Sequence, residues 1–546
     1  MDASAAADAI EWKDQHYLLI DSALAMRQLL RESLRSLGAR YVDMAGSGSE
    51  AVAMLQQTRY DVVLCDLDLG RGKNGQQVLE EAQLRELILP TTVWIMVSAE
   101  KNIESIMSVA ECRPDAYLLK PITEEVLLTR LNRAWKRKQV FRPIDAAYHE
   151  KNYLKAAQLC DTQIALYKNQ ALPLLRMKAN LLLRCGLPDQ AREVFERVLA
   201  TRNFNWASAG IAKIRNRNGE PEVARQILID VIADNRYYLD AYDELANVHQ
   251  QLGQFEEAAQ VLEKAARLSP NSVNRQKVLG EVSLKIGNTD QAERAFRKCL
   301  SVGEYSILKT PDAYLGLARV CSLKREPEEA LQLLAQVQRE FNNDQIRLRS
   351  KITEGLVHHE NGDDSRARKS GTEIGMMLSH NPTLPVPSVC LDMARLLFAV
   401  GAKEAPVQLL TDLARNNHDN ELLLDEIQRV FEQAKMGEEG LSIILNSRKQ
   451  AADLMNRGVL LWKTEKLDEA VKWMRHARRL LPNNQRVLFN CAQIFISTME
   501  KTGYNMVLGE ETREILQQID RIAPGQQRFA TLTASLQAIT PPSLND

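Results

Sequence analysis

The chain has 546 residues, too many for one compact hydrophobic core, so several domains or a domain followed by an extended array are expected. It is 45% hydrophobic, 5% aromatic and 26% charged, with 17 Lys and Arg against 20 Asp and Glu up to residue 140 and 53 against 51 after it. That balance lacks the basic excess that draws nucleic acid. No apolar run is long enough to span a membrane, and the first residues (MDASAAADAIEWKD) lack the basic and apolar regions of a secretory signal. Eight cysteines are scattered without a CxxC pair, which predicts reduced, buried thiols in a cytoplasmic protein.

After an N-terminal extension (1–15), residues 16–138 alternate short apolar runs with amphipathic helical patterns. The runs are HYLLID (16–21), RYVDMA (40–45), YDVVLCD (60–66), TTVWIMVSA (91–99) and AYLLKP (116–121). Strands alternating with helices predict a parallel sheet covered on both faces. Five units in this length predict a flavodoxin-like, doubly wound α/β domain, with its site at the carboxyl ends of the strands.

From residue 139 to 483 the pattern is helical only. One phrase recurs: a Gly or polar turn, then an aromatic or Leu, then an Ala that opens a second helix, clearest in GQFEEAAQVLEKAARLSP (253–270). The alanines are Ala156, Ala191, Ala224, Ala258, Ala292, Ala330 and Ala367, at spacings of 35, 33, 34, 34, 38 and 37, and the phrase returns at Ala470. A period near 34 residues is that of tetratricopeptide (TPR) repeats. The resemblance is clearest over 172–340 and 451–483 and irregular over 372–450. There NPTLPVPS (381–388) predicts a distorted hairpin or a long loop. Small residues such as Ala246 and Gly280 let paired helices approach, Tyr242, Leu245, Phe255 and Leu262 fill the groove, and Pro270 and Pro482 close second helices. Residues 484–546 read as capping helices and a tail, TPPSLND. The fold class is therefore multidomain: an α/β domain followed by an all-α solenoid.

The strand ends of residues 16–138 carry a constellation. Asp21 follows the first strand, Asp66 ends the third (VVLCDLDLGRGKNG), Ser98 ends the fourth (VSAE), and Tyr117, Lys120 and Pro121 lie in AYLLKPI. Over its whole length this region resembles the CheY-like receiver domain of bacterial response regulators. The resemblance implies that Asp66 is the phosphoacceptor and that Asp21, Asp66 and the backbone carbonyl of Asp68 hold Mg²⁺. It also implies that Ser98 and Lys120 contact the phosphoryl oxygens, that Tyr117 swings inward on activation, and that the bond before Pro121 is cis. Ser22 departs from the family: it stands where the second of a pair of acids contacts the metal, which implies weakened Mg²⁺ binding.

Other signals carry less. Gly46-Ser47-Gly48 lacks the third glycine of a dinucleotide fingerprint, and GRGKNG (70–75) lacks the Lys-Ser/Thr of a P-loop. His358 and His359 are adjacent and point different ways on a helix, and Lys136-Arg137-Lys138 suits the end of the fifth helix. No DNA-binding or enzymatic output module follows the receiver pattern. The expected function is that of a response regulator, not an enzyme, phosphorylated by a histidine kinase and signalling through proteins bound to its repeats, with no nucleic acid or membrane partner. The alternative is a pseudo-receiver that serves as a docking or homodimerisation domain on a scaffold. The stretch KRKQVFRP (136–143) has no Gly or Ser, so a stiff junction is expected. The receiver is expected to cover only the flank of the first hairpin, and Trp94 to lie near the site.

Overall fold

The five apolar runs form strands: the three central ones are buried on both faces, and the two edge strands are partly exposed. The computed structural model describes residues 12–380, 386–522 and 527–541. The strands are β1 (His16–Ile20), β2 (Tyr41–Ala45), β3 (Val62–Asp66), β4 (Val93–Ser98) and β5 (Ala116–Leu119), all parallel, in the order β2-β1-β3-β4-β5. Side chains alternate across the sheet. Leu18, Ile20, Val63, Cys65, Trp94 and Met96 face α2 (Gly48–Gln57), α3 (Gly75–Leu84) and α4 (Ile103–Glu111). Tyr17, Leu19, Val62, Leu64, Ile95 and Val97 face α1 (Leu24–Ser36) and α5 (Glu124–Lys138). This is the doubly wound arrangement expected from the sequence.

The helix starts follow local chemistry. Ser47, Asn74, Asn102 and Thr123 cap α2, α3, α4 and α5 by accepting a backbone N–H, and Asn74 with Gln77 forms a reciprocal capping box. The GSG stretch is thus a loop and helix start. The basic run at the end of α5 is structural: Lys138 Nζ donates to the carbonyl of Thr92 (2.8 Å), and Arg137 to that of Asp115 (3.0 Å).

A 3-10 turn (Gln139–Ile144) joins α5 to α6 (Asp145–His149) without an extended linker. The repeats follow as α7 (Tyr153–Leu166), α8 (Ala171–Arg184), α9 (Pro188–Leu199), α10 (Asn205–Arg217), α11 (Pro221–Asp234), α12 (Leu239–Gln251), α13 (Phe255–Leu268), α14 (Val273–Lys285) and α15 (Thr289–Gly303). All eight phrase alanines are fully buried. A larger residue there would hold the paired helices apart. The turn glycines Gly186, Gly219, Gly253 and Gly287 have φ of 70°, 81°, 74° and 79°, a region that disfavours a Cβ.

The chain divides into two compact units, one through Ala313 and one from Tyr314. The boundary falls inside α16 (Pro311–Leu323), and in the second unit α17 (Pro327–Glu340), α18 (Asp344–Glu360), α19 (Asp364–His380), α20 (Pro387–Ala399), α21 (Glu404–Asn416) and α22 (Glu421–Gln433) follow it as helical hairpins. Then come α23 (Gly437–Lys463), α24 (Leu467–Leu480), α25 (Gln485–Thr502), α26 (Met506–Ile522) and α27 (Gln527–Ile539). The proline-broken stretch lies partly outside the described residues, as do most of the N-terminal extension and of the tail.

The region expected to be irregular holds a 27-residue helix, α23, that crosses the expected repeat start at 451. Its glycines do not break it because they serve packing. A Cβ at Gly440 would lie 2.5 Å from Phe431, and one at Gly458 would lie 2.2 Å from Met474 Sδ. His358 is buried and His359 bonds Asp364, so the pair does not converge. Of the eight free thiols seven are buried, and Cys185 is partly so. Among the described residues no helix is long and apolar enough to cross a membrane.

Candidate functional site

The carboxyl ends of β1, β3, β4 and β5 open on one edge of the sheet. Asp21 follows β1 and is held by its N–H donating to the carbonyl of Ala45 (3.2 Å). Asp66 ends β3. Its carbonyl sits so close to Gly75 that a Cβ there would lie 2.0 Å from it, so the loop back to α3 closes only with glycine. Lys120 follows β5, its N–H donating to the carbonyl of Ser98 (2.8 Å), and the Lys120–Pro121 peptide is cis.

These placements converge. Lys120 Nζ donates to Asp21 Oδ2 (2.8 Å) and to Asp66 Oδ2 (2.5 Å). Both carboxylates are nearly enclosed, at 2% and 8% exposure. Burial raises the Asp66 carboxyl above the usual range, opposed by hydrogen bonds and charge from Lys120 and reinforced by Asp21. Burial works against the Lys120 ammonium, yet its bonds to both carboxylates hold its pKa above the ordinary value. Buried Ser98 accepts at Oγ from the N–H of Glu100 (2.9 Å), and half-buried Tyr117 donates its hydroxyl to the Glu100 carbonyl (3.3 Å). Asp68 is exposed: its N–H donates to Asp66 Oδ1 (3.3 Å), and its own carboxylate accepts from Gly70 (3.0 Å).

Ser22 is exposed beside Asp21, and the Arg27 guanidinium donates to the carbonyls of both. The donor set is two buried carboxylates and hard backbone oxygens, which fits a hard divalent cation such as Mg²⁺. It has one carboxylate fewer than an acidic pair would provide.

Residues 17–132 match the family model described as response regulator receiver domain. The N-terminal domain is a response-regulator receiver. Models described as tetratricopeptide repeat match residues 172–197, 239–272 and 278–344, so the chain couples a receiver to TPR repeats. The receiver is similar to the chemotaxis protein CheY-3 of Vibrio cholerae, 28% identical over 130 residues, covering 24% of this chain and 98% of that protein. It is similar to the chemotaxis protein CheY of Pseudomonas aeruginosa, 28% identical over 120 residues, covering 22% of this chain and 95% of that protein. Among solved structures, chemotaxis response regulator CheY4 of V. cholerae matches with 25% identity and a TM-score of 0.21, covering 22% of this chain and 98% of its own. A tetratricopeptide repeat protein from Parabacteroides merdae matches with 15% identity and a TM-score of 0.33, covering 47% of this chain and 97% of its own.

Two expectations need correction. Trp94 lies at the opposite end of β4 from Ser98, about 13 Å away along a strand that rises roughly 3.3 Å per residue. It is buried among Val63, Cys65 and neighbouring core residues and is no reporter of the strand ends. The receiver also covers far more than the flank of the first hairpin. Glu86 accepts from Tyr153 Oη (2.8 Å) and pairs with Arg184, and Thr91 bonds Asp145. The loop after Asp66 and the start of α3 are held by the end of α15: Lys73 Nζ donates to the carbonyl of Tyr305 (2.7 Å), and Gln77 Nε2 to that of Val302 (2.8 Å). Residues so far apart in sequence carry no periodic signal of their contact. The one hint is polar side chains on faces that should pack.

Proposed function

We propose that the chain is a two-component response regulator that takes a phosphoryl group on Asp66 from a separate histidine kinase and signals through proteins bound to its TPR repeats. The observation that carries the reading is Lys120 bridging Asp21 and Asp66 at the strand ends, beside Ser98 and Tyr117. In the transfer, an Asp66 carboxylate oxygen forms a bond to phosphorus while the P–N bond of a phosphohistidine breaks, and the imidazole leaves with the electron pair and takes up a proton. The product is an acyl phosphate. Lys120 is placed to follow the phosphoryl oxygens as a positive charge, and the Ser98 hydroxyl to leave the Glu100 N–H and donate to them. Mg²⁺, held by Asp21, Asp66 and the Asp68 carbonyl, would offset negative charge at the phosphorus, weakly because Ser22 brings no carboxylate. The soluble composition supports a cytoplasmic location, with a protein partner rather than nucleic acid.

The test is ¹⁹F NMR of the full chain with Mg²⁺ and beryllofluoride. Wild type is expected to give a bound resonance and Asp66→Asn none. A bound resonance in both proteins overturns the assignment of Asp66. None in either favours the pseudo-receiver scaffold, for which the exposed Ser22 and the existing Lys120 ion pairs are the supporting observations.

A further inference from the structure

Helix α4 of the receiver lies against repeat helix α13 and the residues leading into α14. Its apolar contact is Met107, which packs on a cluster formed by Leu239, Tyr242 and Ala265. Its polar contact is Ser108, whose Oγ lies 3.0 Å from that of Ser269. At the end of the helix, Glu111 accepts from Arg275 Nη2 (2.7 Å) and Nη1 (3.2 Å), and also from the Ser269 hydroxyl.

Arg275 is a built feature of the repeats, not a surface lysine that happens to be near an acid. It is 1% exposed, yet it stands in a helix whose other buried positions include Val273, Leu279, Gly280 and Val282. Asp243 of α12 holds it in a forked geometry, with Nε and Nη2 each 2.8 Å from the carboxylate. Its Nη1 also reaches the Ser269 carbonyl (3.2 Å). Among the described residues that hold Arg275, Glu111 alone comes from outside the array. A buried guanidinium oriented by one carboxylate and presented to a second is a reader of acidic groups, with the planar geometry such pairs favour.

The receiver site connects to this contact over a short path. Glu100 is bonded both to the Ser98 hydroxyl, through its N–H, and to the Tyr117 hydroxyl, through its carbonyl. It stands three residues before the first residue of α4. Any change that draws Ser98 or Tyr117 to Asp66 releases the segment that sets where α4 begins.

We propose that the groove formed by α12, α13 and α14 is a binding site for an acidic amphipathic helix, and that α4 occupies it in cis, latched by Glu111 on Arg275. A partner helix carrying a carboxylate one turn beyond a Met or similar apolar residue fits the same groove and binds once α4 withdraws. The link from Asp66 to withdrawal rests on the receiver reading above; the occupancy of the groove does not.

The probe is a fluorescent peptide of residues 101–114 (KNIESIMSVAECRP), titrated against full-length protein. Wild type is expected to bind it weakly. Glu111→Arg, which places a cation on Arg275, is expected to bind it roughly tenfold or more tightly and to exchange amide hydrogens faster in 103–111 and 262–276, as uncoupling of two sites allows. Glu111→Gln keeps the shape of the side chain and removes its charge while leaving Arg275 on Asp243, and it is expected to fall between wild type and Glu111→Arg in both readouts. Equal peptide affinity and exchange in wild type and Glu111→Arg overturns the latch. So does equally tight binding to Glu111→Arg of the same peptide with Gln at position 111. Beryllofluoride is the separate arm. If its bound resonance appears while peptide affinity stays that of the free protein, the coupling is wrong and the receiver reading stands. If no resonance appears, the receiver reading fails while the charge-reversal result still decides the latch.

Discussion

Replacing Lys120 by Met removes the ammonium and keeps an unbranched stem of similar volume. What remains are two carboxylates at 2% and 8% exposure. Their surviving neutral donors are the N–H of Ala23 on Asp21 (2.8 Å) and that of Asp68 on Asp66 (3.3 Å). Lys120 itself is only 18% exposed at its side chain, so solvent screens little of the interaction. Removing one partner of a buried ion pair costs about 3–5 kcal/mol, most of it the cost of the uncompensated charge left behind. The loss depends on pH with a definite sign. Burial already holds the Asp66 carboxyl above its ordinary value, and Lys120 opposes that rise. Without Lys120 the folded-state value climbs further. A group raised on folding contributes stability below its unfolded pKa and loses it as pH rises through the folded value. The deficit of Lys120→Met is therefore smallest near pH 4 and grows towards pH 7, and millimolar Mg²⁺ at pH 7 reduces it by supplying a replacement charge. Because the two units need not unfold together, the measurement is hydrogen exchange of amides in β1 and β3 rather than a global melt. Protection within 1 kcal/mol of wild type at pH 7, or a deficit independent of pH, would refute the geometry of this site.

Three further outcomes are expected. Ser22→Asp adds a hard carboxylate beside Asp21 and tightens Mg²⁺ binding by roughly 10–100-fold in calorimetry; unchanged affinity means the first strand end is misaligned by a residue. Gly280→Ala places a Cβ 2.6 Å from the buried Phe296 ring and costs about 1–3 kcal/mol in urea unfolding, with Phe296→Leu recovering part of it. Burial lowers the pKa of His418, whose Nδ1 lies 2.9 Å from Asn484 Nδ2, so the folded state resists protonation. Stability is then full above the ordinary value of 6.5 and falls as pH drops below it. His418→Gln should remove that part of the loss between pH 7.5 and 5.5 in thermal melts of the two proteins.

Much of this was legible in the sequence for physical reasons. A strand buried on both faces leaves an apolar run with no alternation, which is why β1, β3 and β4 stand out. The phrase alanines stand out because each fills a close crossing that admits nothing larger. The strand-end residues could be placed because parallel topology brings every carboxyl end to one edge, so Asp21, Asp66, Ser98 and Lys120 had to be neighbours. The contact between receiver and repeats was not legible. Arg275 sits on a buried helical face, but nothing in the run VNRQKVLGEVSLK says which acid it meets. Glu111 looks like any solvated residue at a helix end. The helix α23 was obscured because glycine disfavours a helix interior, whereas Gly440 and Gly458 are spaces for Phe431 and Met474.

The distance along the chain between Glu111 and Arg275, 164 residues, also fixes an order of events during synthesis. The receiver's five strands are complete before the first repeat has left the ribosome, whereas Arg275 emerges much later. At roughly 5–20 residues per second the interval is about 8–30 s. Until Leu239, Tyr242, Ala265 and Ser269 have emerged, the nascent receiver carries Met107 and Ser108 uncovered, and each repeat that emerges stacks on its predecessor before the array can curl back. Closure of so long a loop is entropically slow to find but only logarithmically more costly than a short one. The first unit therefore matures in two steps, a fast local one and a late ring closure. A chain truncated before Leu239 would be left permanently in the first.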